Sequence, residues 1–209
     1  MSKAWCHRAL LSLVIASIAT TTACVHNPDE GGKIRHDLPL DSLCDGDLVF
    51  RQGLSPESQV VMQLDSAKGQ YSHIGIAIND HGTWKVVHAT PGEHPDDARM
   101  VIIEPIDTFF LSTRAEHGAI MRLKGCSTTT AHQAAIKAAT KRGTPFDFHY
   151  NWTDTSRLYC TELISVVYNS AGVNILQSNN RIKEDNSTNT IVFPSDIASN
   201  DSLKVIFSF

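Results

Sequence analysis

RLYCTELISVVYNSAG, residues Arg157 to Gly172, puts a cysteine at the mouth of a segment with helical periodicity. Leu163, Ile164, Val167 and Tyr168 fall on one face and Gly172 marks a stop, so an amphipathic helix is expected with Cys160 in its first turn. There the positive end of the helix dipole and the unpaired backbone N–H groups favour thiolate over thiol. Three fates stand for such a thiol: a small buried hydrophobe, half of a disulfide, or a nucleophile. The helix comes late, behind nearly all the strand-like runs, and so sets the order of elements for the chain.

Upstream, GDLVFRQG (Gly46 to Gly53) reads as a strand and SPESQVVMQLDSAK as a helix opened by Ser55 and Pro56. SHIGIAIND and WKVVHAT read as a hairpin about Asp80, His81 and Gly82. RMVIIEPI and HGAIMRLK are further strands, with a helical turn in DTFFLST between them. STTTAHQAAIKAATKRG is a capped helix, and TPFDFHYNWTDTS an aromatic loop. Downstream lie the polar loop NNRIKEDNSTNT, a short helix in FPSDIAS and a closing strand in LKVIFSF. The layout is α+β, an antiparallel sheet with helices segregated against it.

The 209 residues, 42% hydrophobic and 19% charged, suit one globular domain. A net charge of -4, with no basic run interleaved with aromatics, argues against nucleic acid as a partner. Residues 1–23 carry Lys3 and Arg8, an apolar run from Ala9 to Ala19 and then small residues, the pattern of an export signal. Thr21, Thr22 and Ala23 precede Cys24 in the layout of bacterial lipoprotein leaders, although Leu is more usual at the position of Thr21. Cys24 is therefore the expected lipidation site, and the mature chain is expected at the periplasmic side of a bacterial envelope, anchored to a membrane; plain secretion is the alternative. Residues 24–42 read as a flexible tether and 43–209 as the catalytic domain. Of the five cysteines, Cys44, Cys126 and Cys160 remain after the leader and Cys24. A Cys44–Cys126 bridge would leave Cys160 free.

A nucleophilic cysteine needs a proton acceptor and a third group to orient it. His73 opens one hairpin strand and His88 lies in the other. A turn at residues 80–82 makes them cross-strand neighbours, His73 as base and His88 as orienter. A lone cysteine on an apolar helix and a histidine in a strand are more often structural than catalytic, so the pattern alone leaves both readings standing. No C-x-x-C, H-E-x-x-H or H-x-x-x-H spacing occurs, so no metal and no cofactor is expected.

GDLVF, YSHIGIAI, VVHATP, GTPFDFHYNW, YCTELISVVYNSAG and FPSDI, in this order, resemble the permuted papain-like enzymes of the NlpC superfamily, in particular the YaeF/YiiX-like amidase branch. VVHATP is also similar to its counterpart in the related lecithin-retinol acyltransferase branch. The resemblance implies Cys160 as nucleophile, His73 as general base and His88 as third member, in an order that reverses papain's. Asp147 and Glu162 match pattern positions. For Glu162 two readings stand, compensation of the helix dipole and binding of a substrate amine; Asp147 is expected to shape its loop. Tyr71 and Tyr159 flank the key residues as candidate oxyanion donors or cleft residues. The implied activity is an extracytoplasmic cysteine hydrolase cutting an amide bond in a peptide, a cell-wall peptide or a lipid amide through a thioester. The alternatives are a lipid acyltransferase or thioesterase, and a non-catalytic envelope-binding lipoprotein.

Overall fold

In the computed structural model, which describes residues 35–65, 69–92, 98–176 and 191–209, the expected strands pair into one six-stranded sheet. The elements are β1 (Leu48–Gly53), α1 (Pro56–Leu64), β2 (His73–Asp80), β3 (Thr83–Ala89), β4 (Val101–Pro105), α2 (Ile106–Phe109), β5 (Ala115–Leu123), α3 (Thr128–Ala139), α4 (Cys160–Ser170), α5 (Pro194–Ala198) and β6 (Leu203–Ser208). Strand order is β4-β3-β2-β1-β5-β6, and every neighbouring pair is antiparallel. The fold is α+β, as expected. The leader, Cys24 and the loop NNRIKEDNSTNT lie outside the described residues, as do residues 93–97. No helix among the described residues is long and apolar enough to cross a membrane.

Side chains alternate across the sheet because successive strand residues point to opposite faces. Leu48, Phe50, Ile74, Ile76, Val87 and Met121 join a core with Ala134, Ala135 and Ala138 of α3 and Leu163, Ile164 and Val167 of α4. Each fully buried Leu, Ile or Val of α4 contributes roughly 1.5–3 kcal/mol. Val49, Ala77, Val86 and Ile120 face the other way and pack with Phe109 and Phe110 of the α2 turn. Leu38 is part of that second cluster and His36 stacks on Phe209 at 3.4 Å between ring centres. The stretch read as a tether therefore already packs on the sheet before Leu43, because the second face is apolar and needs cover.

The hairpin register differs from the expected one. His81 and Gly82 both have positive φ (51° and 86°) and form a two-residue turn, which sets Asp80 opposite Thr83 and Ile76 opposite Val87. By that register His88 faces Gly75, not His73. His73 lies two residues further along the same face, so the two imidazoles meet diagonally, within reach for long side chains.

The possible bridge between Cys44 and Cys126 is not formed. Both line a cavity of about 70 Å³ with Arg122 and Tyr168, yet no disulfide joins any of the three described cysteines. Cys44 lies beside Arg122, which binds both oxygens of Asp47 at 2.7 and 2.8 Å, and the Cys126 thiol turns to the carbonyl of Ser127 at 3.6 Å. The thiol count therefore does not single out Cys160, and its distinction must come from its surroundings.

Candidate active site

α4 begins at Cys160 because Tyr159 before it is extended (φ -96°, ψ 175°) and the residues after it turn helical. All of Cys160 to Ser165 is buried, more than one amphipathic face requires. The segment at Val192 covers the second side: Thr161 Oγ1 donates to the Val192 carbonyl at 2.7 Å, and the Val192 N–H donates to Tyr159 Oη at 3.3 Å. The far end of the helix is tied to the sheet by a hydrogen bond from Tyr168 Oη to the carbonyl of Gly46. The cysteine is thus held on a helix fixed at both ends.

Cys160 and His73 open onto the same cavity, of about 240 Å³, together with Tyr150, Tyr159 and a wall of apolar side chains that includes Val61, Leu64, Phe146 and Ile191. Behind His73 the side chains run in a line across the sheet. His73 Nε2 meets His88 Nδ1 at 2.8 Å, and His88 Nε2 meets Glu104 Oε1 at 3.0 Å. Both steps are diagonal, since His88 pairs with Ile102 and Glu104 lies two residues beyond it on the same face. Arg114 Nη1 reaches Glu104 Oε2 at 3.4 Å and Arg51 Nη1 lies 3.9 Å from Oε1. Arg51 stands opposite His73 in β1, donates to the Phe109 carbonyl at 2.9 Å and lies with its guanidinium 4.4 Å over the Phe109 ring. Burial works against the Glu104 carboxylate, but the His88 hydrogen bond and the charges of His88, Arg51 and Arg114 outweigh it and hold its pKa below the ordinary value.

The remaining expected residues separate. Tyr159 lines the cavity, though its hydroxyl is engaged by Val192, and burial raises its pKa. Tyr71 does not line it; its ring packs at 5.3 Å from Phe50 and it faces a different groove. Asp147 shapes its loop as expected, accepting the N–H groups of His149 at 2.8 Å and Asn151 at 2.6 Å. Glu162 is 0% exposed and absent from the cavity wall, so it is not placed to bind a substrate amine. Its Oε2 accepts the Tyr159 N–H at 3.4 Å, its Oε1 has no hydrogen-bond partner among the described residues, and burial pushes its pKa up to about 8. A carboxyl that stays protonated at neutral pH compensates no dipole either; it braces the entry to α4 by a neutral hydrogen bond.

Sequence reasoning missed Glu104, Arg51, Arg114 and Tyr150. The signal for the first two was a single charge inside an apolar strand run, VIIEP and LVFRQ, which is tolerated only when paired. Tyr150, between the two N–H groups that Asp147 accepts, is held at a positive φ of 53° and lines the cavity. Burial, then the nearby charges of Cys160 and Asp147, raise its pKa and keep the phenol protonated.

A sequence model of the permuted papain-like amidases, YaeF/YiiX, C92 family, matches residues 42–207. The chain belongs to that family. Membership makes it an amidase-type hydrolase. No curated protein matches in sequence. Among solved structures, the fold is similar to the metalloprotein YiiX from Escherichia coli O157:H7, with a TM-score of 0.64, 20% identity, and coverage of 79% of this chain and 97% of that one. The described residues of this family member do not fit a metal. Nε2 of His73 and both ring nitrogens of His88 are engaged along the line to Glu104, and among the described residues no three His, Cys, Asp or Glu side chains converge to hold an ion.

Proposed function

We propose that the chain cleaves amide bonds by acyl transfer through Cys160, on substrates whose acyl part is apolar. The observation that carries this reading is the shared cavity of Cys160 and His73, with His73 backed by His88 at 2.8 Å. His73 takes the thiol proton, the thiolate attacks the amide carbonyl carbon, and the backbone N–H of Cys160 at the helix start faces the oxyanion. His73 returns the proton to the leaving nitrogen as the C–N bond breaks, which leaves a thioester. Water, deprotonated by His73, then releases the acid and restores the thiolate. Val61, Leu64, Phe146 and Ile191 favour an alkyl chain over a charged peptide, so a lipid amide is the preferred substrate class. The same apolar wall favours a second reading, acyl transfer to a lipid amine or alcohol in place of water.

The leader pattern of residues 1–23 and Cys24 supports a place of work outside the cytoplasm, with a lipid on Cys24 as membrane anchor. To test the activity, the full chain is incubated with an N-acyl lipid amide, a cell-wall peptide and a phospholipid, with and without an added amine, and products are read by mass spectrometry. Free fatty acid from the lipid amide is expected, and none from Cys160→Ala with an unchanged thermal melt. Undiminished turnover by Cys160→Ala contradicts the reading; acyl-amine as main product selects the transferase.

A further inference from the structure

Three charged side chains outside the expected triad converge on its far end, and their arrangement has a polarity. Glu104 lies between Arg51 and Arg114, two fixed cations, with Phe109 closing the space at 5.2 Å from the His88 ring and 5.8 Å from the His73 ring. A carboxylate so placed only accepts hydrogen bonds. His88 Nε2 at 3.0 Å must therefore carry a proton, which in a neutral imidazole leaves Nδ1 as an acceptor. His73 Nε2, 2.8 Å from that nitrogen, must in turn donate. The lone pair of neutral His73 is then on Nδ1. The opposite order would set the Nε2 lone pair of His88 against an ionised oxygen in a buried site, two acceptors facing each other.

We propose that Glu104 is a positioning residue which, acting through His88, fixes the tautomer of His73 and so makes Nδ1 the atom that receives the Cys160 proton. When His73 becomes imidazolium, its Nε2–H donates to His88 and the Glu104 carboxylate stabilises the charge through that imidazole, with no proton passing to Glu104. Gly75 belongs to the same device. It stands opposite His88, and a Cβ there would come within 3.1 Å of His88 Cβ, so its bare backbone leaves the imidazole its place. Among the described residues the charged groups that face this line are Arg51 from β1 and Arg114 from the turn before β5, and both cations favour the same polarity by keeping Glu104 ionised.

The inference rests on the catalytic reading above, and the test separates the two. In the full chain carrying Cys160→Ala, where no thiolate holds the imidazole charged, ¹⁵N NMR of labelled histidines above about pH 8 reads the tautomers directly. Protons on Nε2 of both His73 and His88 are expected; a proton on Nδ1 of His73 overturns the proposal, whatever turnover shows. In the active chain, Glu104→Gln keeps the shape but lets the amide donate as well as accept. It should lower kcat by about tenfold or more with KM little changed, slow alkylation of Cys160 near pH 6 by about tenfold, and give mixed His73 tautomers. Unchanged tautomers and an unchanged pH profile in a folded Glu104→Gln protein would also overturn it. Turnover by Cys160→Ala would overturn the catalytic reading alone.

Discussion

Replacing Glu162 by Gln should make the protein more stable, and increasingly so as pH rises. The wild-type carboxyl is fully buried in the first turn of α4, with one oxygen on the Tyr159 N–H and the other without a partner among the described residues. Burial, helped by the nearby charges of Asp147 and Asp154, raises its pKa from 4.5 to about 8 against the opposing effect of the Tyr159 hydrogen bond. Between those two values the folded chain binds a proton that the unfolded chain has released, so stability falls as pH rises across the window. Each pH unit is worth about 1.4 kcal/mol, which makes the fall between pH 5 and pH 8 roughly 4 kcal/mol at most. Gln keeps an oxygen for the Tyr159 N–H, replaces the unpartnered O–H by an N–H and cannot ionise. The two proteins should unfold at similar urea concentrations near pH 4.5 and diverge steadily up to about pH 8, by far-UV circular dichroism at unit pH intervals. Parallel curves over that range would refute the assignment of a neutral buried acid.

Two further substitutions probe the supports of the site. Gly75→Ala puts a Cβ 2.5 Å from Val86 Cγ1 and 3.1 Å from His88 Cβ; overpacking of this kind costs about 1–3 kcal/mol, and turnover should fall with it as His88 is displaced. A wild-type melt and wild-type kcat in that variant would contradict the close packing of the line. Asp147→Ala removes the acceptor for two backbone N–H groups on either side of Tyr150, at about 1–3 kcal/mol, and amide hydrogen exchange at His149 and Asn151 should quicken by an order of magnitude or more. Exchange that stayed slow would mean the loop is held by something else.

Most of the fold was legible because its elements carry local signals. The short apolar run between glycines in GDLVFRQG, the Ser55–Pro56 start and the Ser127 cap, whose side chain accepts the Thr130 N–H at 3.0 Å, each depend on neighbours in sequence. The register of the β2–β3 hairpin was not legible to the residue, since it depends on both His81 and Gly82 taking positive φ, which tightens the turn by one position. Cys160 and the two histidines were singled out by residue type and predicted adjacency, and their roles came from the family resemblance. Glu104 and its arginines were not, because the line from His73 to Glu104 crosses three strands diagonally and no spacing in the sequence encodes that. Glu162 was misread for the same kind of reason. A glutamate in a first turn reads as a dipole partner unless one knows that the segment at Val192 seals the helix from water.

If Cys160 carries the acyl group, the adduct can be trapped on its sulfur before water releases it. The full chain is mixed with an activated acyl ester, quenched in acid within seconds, and mapped by peptide mass spectrometry. One acyl group on Cys160, formed in the wild type, absent in Cys160→Ala and strongly slowed in His73→Ala, is the predicted result. Turnover without any adduct on Cys160, or an adduct that forms equally fast in His73→Ala, would contradict the account.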